Sequence, residues 1–300
     1  MKALRLTALL LALVMIAGVL PAEAVSAPVA ENMELCTYRG TSVGGRLSAS
    51  DAQGRALRYK LTTEPAKGSV RVEEDGHFVY TPAEGKRGRD YFGFRAVNVD
   101  GIESQEGTVI IRIEKQRSTV RYSDTEGLAC AYAAQKLCDD RILCGECVAG
   151  HWLFEPEREI TRGEYLAMCL KASGTECLCG VQRTGCTNDA ELPAWVKPYI
   201  STALLNDCSA EVCAENTSYD SDAAIGKEEA AVLLHSAFRI TALPQSVKTR
   251  RLSSSEWSAA AVAGLIACGV FTEQPAPDEL LTRGEAAMML VKAMALRNAE

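Results

Sequence analysis

Apolar residues alternate with polar ones in the first third of the chain. From about Leu47 to Ile113 the alternation comes in short runs separated by turn residues, which is typical of half-buried antiparallel strands. The dipeptide Asp75-Gly76 stands between two such runs and predicts a hairpin. The residues that mark the runs are Leu57, Tyr59, Leu61, Val70, Val72, Phe78, Tyr80, Tyr91, Phe92, Phe94, Val109, Ile111 and Ile113. The pattern therefore predicts an all-β domain.

Beyond a basic linker at Lys115–Arg117 the apolar spacing becomes helical. Stripes of this spacing recur along the rest of the chain and predict a repeated unit of helix, loop and helix. They lie at 131–137, 166–170, 195–205, 230–237, 257–266 and 286–296.

A five-residue pattern opens three of these helices. Its copies are Ile160-Thr161-Arg162-Gly163-Glu164, Ile225-Gly226-Lys227-Glu228-Glu229 and Leu281-Thr282-Arg283-Gly284-Glu285. The outer copies form a capping box, and the predicted structural caps are Thr161, Glu164, Gly226, Glu229, Thr282 and Glu285. A cation is unusual at a helix N-terminus, which carries partial positive charge, so its threefold recurrence suggests an anion-binding helix end. The alternative is a solvated helix end with little energetic role.

The N-terminus predicts export. A basic start, the apolar stretch Leu6–Leu20 and the small residues before position 25 are typical of a signal peptide at 1–24. The alternative is an uncleaved membrane anchor, but the stretch is shorter than the roughly 20 residues that span a bilayer. We expect no membrane span after cleavage. The chain has a net charge of −7, and its acidic excess lies in the second region, which argues against nucleic acid as a partner.

The β region resembles the bacterial immunoglobulin-like and cadherin-like modules of surface proteins. The resemblance is carried by Tyr59–Leu61, Pro65, Gly68–Val70, Phe78–Pro82 and Asp90–Phe94. Members of that family often carry an acidic calcium-binding turn, whereas this chain has Asp51 alone at that place, so no metal is expected. The resemblance implies a small β-sandwich that acts as a spacer or a weak binding module.

The helical region resembles S-layer homology repeats. The resemblance rests on the five-residue pattern, on Trp195 and Trp257 in the first helices and on Phe154-Glu155-Pro156 before the first pattern. It implies an all-α pseudo-threefold bundle of three helix-loop-helix repeats that follows the all-β immunoglobulin-like sandwich. The expected organisation is a signal peptide at 1–24, the sandwich with flanking linker at 25–117, and repeats at 118–173, 174–240 and 241–300.

The same resemblance implies grooves that bind an anionic, often pyruvylated, polysaccharide attached to peptidoglycan. By position in the motif, the expected ligand contacts are Arg162, Lys227, Arg283, Trp195 and Trp257. The first repeat has Ala129 where the Trp is expected, and the second has Lys in place of Arg. Because only the third repeat keeps both residues, the strongest expectation falls on Arg283 and Trp257.

Cysteine is abundant in the second region. In an exported chain such cysteines are by default disulfides, with free thiols of an anaerobic organism or a metal site as alternatives, and connectivity does not follow from sequence. The candidates are Cys130, Cys138, Cys144, Cys147, Cys169, Cys177, Cys179, Cys186, Cys208, Cys213 and Cys268. Cys36 stands apart near the mature N-terminus.

The sequence contains no recognisable catalytic motif, and no cofactor is expected. The three histidines, His77, His151 and His235, lie outside zinc-protease and nucleophile motifs. We therefore expect a non-catalytic, secreted protein held noncovalently at the bacterial cell wall, displaying the β-sandwich. One alternative is a structural, lattice-forming or protein-interaction role with reduced glycan binding, with other surface proteins as partners. A lower alternative is an accessory of a glycan-degrading enzyme.

Overall fold

The computed structural model describes residues 26–206, 217–240, 254–271, 274–276 and 278–297, with the side chains of 254–257 outside the description. The β region forms two main sheets, ordered β2-β9-β8-β5 and β3-β7-β6, and a small β1-β4 pair. Its strands are β1 (Val29–Ala30), β2 (Met33–Tyr38), β3 (Val43–Arg46), β4 (Ala49–Ser50), β5 (Leu57–Thr63), β6 (Gly68–Val72), β7 (His77–Pro82), β8 (Gly88–Asn98) and β9 (Gly107–Glu114).

The alternating pattern produces the core of this domain. On β7 and β8 the inward aromatic side chains are fully buried, and Phe78 packs edge-on against Phe92 with 5.3 Å between ring centroids. The hairpin at Asp75-Gly76 joins β6 to β7, and Gly76 takes the left-handed φ of 92° that this turn requires. β2, which pairs in parallel with β9, lies upstream of the segment in which strands were expected.

The second region is not all helical, so the expected fold class is wrong. Its described helices are α1 (Ala131–Asp139), α2 (Arg162–Ala172), α3 (Lys197–Leu205), α4 (Lys227–Phe238), α5 (Ser254–Ala267) and α6 (Arg283–Arg297). Between α1 and α2 lies an antiparallel hairpin of β10 (Glu146–Val148) and β11 (His151–Leu153). Isolated β-bridges also join the segments that precede α2, α4 and α6. The chain is therefore a mixed structure of strands and helices.

The hairpin has a clear physical cause. Ala149 and Gly150 both have positive φ, 51° and 85°, as two-residue type I′ turns demand. The sequence predicts a loop between the helices here. The two strands do not stand out in the sequence, because each is only three residues long and has no alternating apolar face.

The β domain is docked on α1. Gly44 N–H donates to Ala129 C=O, Tyr132 N–H donates to Ser42 C=O, both at 3.0 Å, and the Tyr38 and Tyr132 rings pack edge-on at 5.1 Å. A Cβ at Gly44 would lie 2.3 Å from the Ala129 Cβ. The close approach explains why Ala129 stands where a Trp was expected, since a large side chain there would meet strand β3.

None of the helices in the described ranges combines the length and apolar character needed to cross a membrane.

Candidate functional site

The three copies of the five-residue pattern meet at the centre of the second region. Their first residues, Ile160, Ile225 and Leu281, are buried and exchange backbone hydrogen bonds in a closed ring. Ile160 N–H donates to Leu281 C=O, Leu281 N–H to Ile225 C=O, and Ile225 N–H to Ile160 C=O, each at 3.0 Å. The N-termini of α2, α4 and α6 therefore converge on one approximate threefold axis.

A second ring surrounds the first. Backbone N–H groups of the three basic residues donate to a preceding segment of the next copy: Arg162 to Ala223 at 2.9 Å, Lys227 to Glu279 at 2.7 Å and Arg283 to Arg158 at 2.8 Å. These amides belong to first-turn residues, which have no acceptor within their own helix. Neighbouring copies thus complete one another's helix starts.

Side-chain caps close the outer two helices. Thr161 accepts a hydrogen bond from Glu164 N–H at 3.3 Å, and the Glu164 carboxylate accepts from Thr161 N–H at 3.1 Å. Thr282 and Glu285 repeat the arrangement at 3.3 and 3.0 Å. Gly226 provides no side-chain cap for α4, and Glu229 instead lies against Arg162.

The glycine of the pattern permits close contact between copies. Gly163 N–H donates to Ser221 C=O at 2.9 Å, and a Cβ on Gly163 would lie 3.0 Å from that oxygen. Gly284 makes the matching contact with Pro156 C=O at 2.8 Å. The middle copy has Glu228 at this position, and its side chain lines an open cleft.

The three copies meet pairwise at three junctions. At the first junction, between the first and second copies, Arg162 pairs with the glutamate of the second copy. The distance from Arg162 Nε to Glu229 Oε1 is 2.9 Å. The pair is open to solvent, because the side chains of Arg162 and Glu229 keep 36% and 24% of their surface exposed. Exposed pairs of this kind contribute little to stability, so the Arg162 guanidinium is available for exchange with another carboxylate.

At the second junction, Lys227 lies between two carboxylates. Its Nζ is 2.7 Å from Glu279 Oε1 and 2.6 Å from Glu285 Oε1. Burial lowers the pKa of Lys227, but hydrogen bonds to Glu279 and Glu285 outweigh it and raise the pKa above the ordinary value. Lys227 is therefore held as a cation.

The third junction differs from the other two, because its basic residue does not pair with the glutamate of the next copy. Threefold symmetry would pair Arg283 with Glu164, but Arg158 takes that carboxylate, with 2.8 Å from its Nη2 to Glu164 Oε1. Arg283 is instead buried, with its guanidinium carbon 5.0 Å from the centre of the Phe154 ring. In the described part of the chain its Nε has no hydrogen-bond partner. Burial, followed by the neighbouring Arg158 charge, lowers the pKa of Arg283.

Two clefts adjoin these junctions. One, of about 730 Å³, lies between the second and third copies and is lined by Arg162, Lys227, Tyr219 and Leu280 among others. The other, of about 570 Å³, lies where the β domain faces α6, between Arg46 and Arg71 on one side and Met288 and Lys292 on the other. The first cleft brings together two of the five expected ligand contacts.

Two of the remaining expected contacts, Arg283 and Trp195, are not among the residues that line this cleft. Trp195 is 48% exposed and packs against Tyr199 at 6.4 Å between ring centres. The side chain of Trp257 lies outside the described residues, as do Cys208, Cys213 and residues 1–25. Arg158, which was not expected to take part, occupies the place beside Glu164. Its signal in the sequence was a second basic residue four positions before Arg162.

The described cysteines have no disulfide among them, and no group of three or more potential metal ligands occurs in the described ranges. One pair of thiols is close, with 2.9 Å between Cys138 Sγ and Cys144 Sγ.

Comparison with known proteins identifies the β domain. Residues 26–112 match the family model described as "Bacterial Ig domain", and this part of the chain is a bacterial immunoglobulin-like domain. No S-layer homology domain is detected by the same comparison. No curated protein matches the chain.

Several solved structures resemble about a third of the chain. A candidate alpha-galactosidase from Bacteroides fragilis is 15% identical over 30% of this chain and 18% of its own, with a TM-score of 0.24. The D00-D0 domain of intimin is 12% identical over 31% and 50%, with a TM-score of 0.24. The SrpA adhesin of Streptococcus sanguinis, in an R347E variant, is 17% identical over 32% and 65%, with a TM-score of 0.23. The chain spans less than two thirds of each of these structures, and TM-scores this low support no functional argument.

Proposed function

We propose that this chain is a non-catalytic, exported surface protein that is held noncovalently at the bacterial cell wall and displays its immunoglobulin-like domain. In this proposal the second region acts as three S-layer homology-like repeats, and its ligand is an anionic polysaccharide attached to peptidoglycan. The observation that carries the proposal is the cleft of about 730 Å³ in which Arg162 and Lys227 stand at the N-termini of two helices.

The contact we propose is an exchange of carboxylates. A carboxylate of the glycan would replace Glu229 as the partner of Arg162. The guanidinium can bind such a carboxylate with two parallel hydrogen bonds. The half-exposed position of Arg162 supports this role. The burial of Arg283 does not, so we assign Arg283 to the packing of the third junction.

A second candidate function has its own support. All three basic residues face partners inside the chain, and the cleft also carries Glu228, Glu229, Asp278 and Glu279, which repel an anion. This acidic lining favours a structural or protein-interaction role with reduced glycan binding.

Cosedimentation with purified cell walls tests the proposal. We expect the full chain to pellet with intact walls and to stay in solution after the non-peptidoglycan polymer has been stripped from them. Unchanged binding to stripped walls would exclude the polysaccharide as ligand. Ordered sheets formed by the isolated chain, without any glycan, would favour the second candidate.

A further inference from the structure

Two cysteines flank the turn that follows α1. Cys138 lies in the last turn of that helix and is buried, whereas Cys144 lies six residues later and is exposed. Their sulfur atoms are 2.9 Å apart. Because a disulfide has a sulfur–sulfur bond of about 2.05 Å, the two sulfur atoms would have to approach by about 1 Å to form one.

Two aspartates between these cysteines, at the C-terminal end of α1, contact the linker between the two domains. The Asp139 carboxylate accepts hydrogen bonds from Arg117 N–H and Ser118 N–H, both at 2.9 Å. The neighbouring Asp140 pairs with Arg117 at 2.5 Å. The linker is therefore bound to the segment that the two cysteines enclose.

We propose that Cys138 and Cys144 form a disulfide in the exported protein, and that this bond fixes the turn that holds the interdomain linker. The bond closes a short loop around Asp139 and Asp140. It constrains the open forms of the turn, in which both aspartates would release Arg117 and Ser118.

The oxidation is an exchange with a small disulfide. The Cys144 thiolate, on the exposed side, attacks one sulfur of the oxidant and releases one oxidant thiol. The Cys138 thiolate then attacks Cys144 Sγ in the mixed disulfide and releases the second thiol. Overall, two protein thiols lose two electrons and two protons, and one small disulfide becomes two thiols. Burial, followed by the nearby Cys138 thiol, raises the pKa of Cys144, so the exchange should be faster at alkaline pH.

Peptide mapping tests the pairing directly, because Arg141 lies between the two cysteines. The full chain, refolded with oxidised and reduced glutathione, is alkylated and cut with trypsin without reduction. We expect residues 137–141 and 142–158 to run as one cross-linked species that is lost on reduction. Cys147 lies in the same peptide as Cys144, so Cys147→Ser is the matched control.

The cross-linked species should persist in the Cys147→Ser variant and disappear in Cys144→Ser. Recovery of 137–141 with an alkylated thiol, or disappearance of the cross-linked species in Cys147→Ser alone, would overturn the pairing. Neither outcome involves cell walls, so the pairing of the two cysteines is tested independently of the proposed function.

Hydrogen exchange tests the effect on the linker. We expect the amides of Arg117 and Ser118 to exchange faster in a Cys138→Ala, Cys144→Ala double variant than in Cys147→Ser, both in the oxidised state. Reduced wild type serves as a second measure should the double variant fold poorly. Equal exchange in oxidised and reduced wild type would refute the role in fixing the linker.

Discussion

The patterns at the first and third junctions share four of their five residues, yet they place the basic residue in opposite environments. At the first, Arg162 reaches across to Glu229 and remains open to a cleft. At the third, Arg158 has taken the equivalent glutamate, and Arg283 lies buried on the Phe154 ring. The motif therefore does not by itself determine whether its basic residue is exposed. At the third junction Arg158, on a neighbouring segment, pairs with the glutamate, and Arg283 is buried instead.

Removal of the Phe154 ring, on which Arg283 packs, should cause the largest loss of stability. Phe154 is fully buried and packs on both Tyr122 and Arg283. We expect Phe154→Ala to lower the free energy of unfolding by about 3–5 kcal/mol. Trp195→Ala, at a half-exposed aromatic residue, should cost about 1 kcal/mol. Urea unfolding measures both, and equal losses would contradict the different burial of the two sites.

Arg283 should stabilise the third junction by packing rather than by charge. Truncation in Arg283→Ala leaves a cavity and should cost about 2 kcal/mol. Arg283→Met fills the same space without a buried charge, and its stability should equal or exceed that of the wild type. Thermal and urea unfolding of both variants would disprove this role if the Met variant lost as much stability as the Ala variant.

Lys227 should contribute less, because its two partners are exposed. We expect Lys227→Met to lower the free energy of unfolding by about 1 kcal/mol, and a double-mutant cycle with Glu285→Gln to yield a coupling energy of about 0.5 kcal/mol. Arg71→Met is the control, since its pair with Glu73 is more exposed and longer at 3.7 Å. A coupling energy of zero would show that the second junction is not held by charge.

The smallest change in stability is expected at Glu164, and it should depend on pH. Burial raises the pKa of Glu164, but hydrogen bonds from Arg158 and from Thr161 N–H outweigh it and lower the pKa overall. A carboxyl group with a lowered folded-state pKa stabilises above its unfolded pKa of about 4.3 and loses this contribution as the pH falls through the folded value. The stability difference between wild type and Glu164→Gln should therefore be about 1 kcal/mol or less at pH 7 and shrink below pH 4. A difference that stayed constant down to pH 2 would contradict the assignment.

The sequence predicts the immunoglobulin-like domain well because its signal is local. Alternation along β5 to β9 and the Asp75-Gly76 turn identify those strands directly. Strand β2 pairs in parallel with β9, which lies some 75 residues away, and no turn signal reveals such a pairing.

The second region is harder, because its centre is made of contacts between distant segments. The five-residue pattern predicts where helices α2, α4 and α6 begin. It contains no indication that Arg158 would reach Glu164 ahead of Arg283, or that strand β3 would occupy the space beside Ala129. The hairpin β10–β11 was missed for a different reason, since strands of three residues are too short to show a period.

The most direct test of the central claim is the binding isotherm of three full-length proteins on intact cell walls: wild type, the Arg162→Ala, Lys227→Ala double variant, and Arg283→Met. Removing one charge-assisted hydrogen bond to the glycan should cost about 1.5–3 kcal/mol, so we expect the double variant to bind at least about tenfold more weakly. Arg283→Met should bind like the wild type. Wild-type binding by the double variant, or weaker binding confined to Arg283→Met, would contradict the assignment of the glycan to the cleft at Arg162 and Lys227.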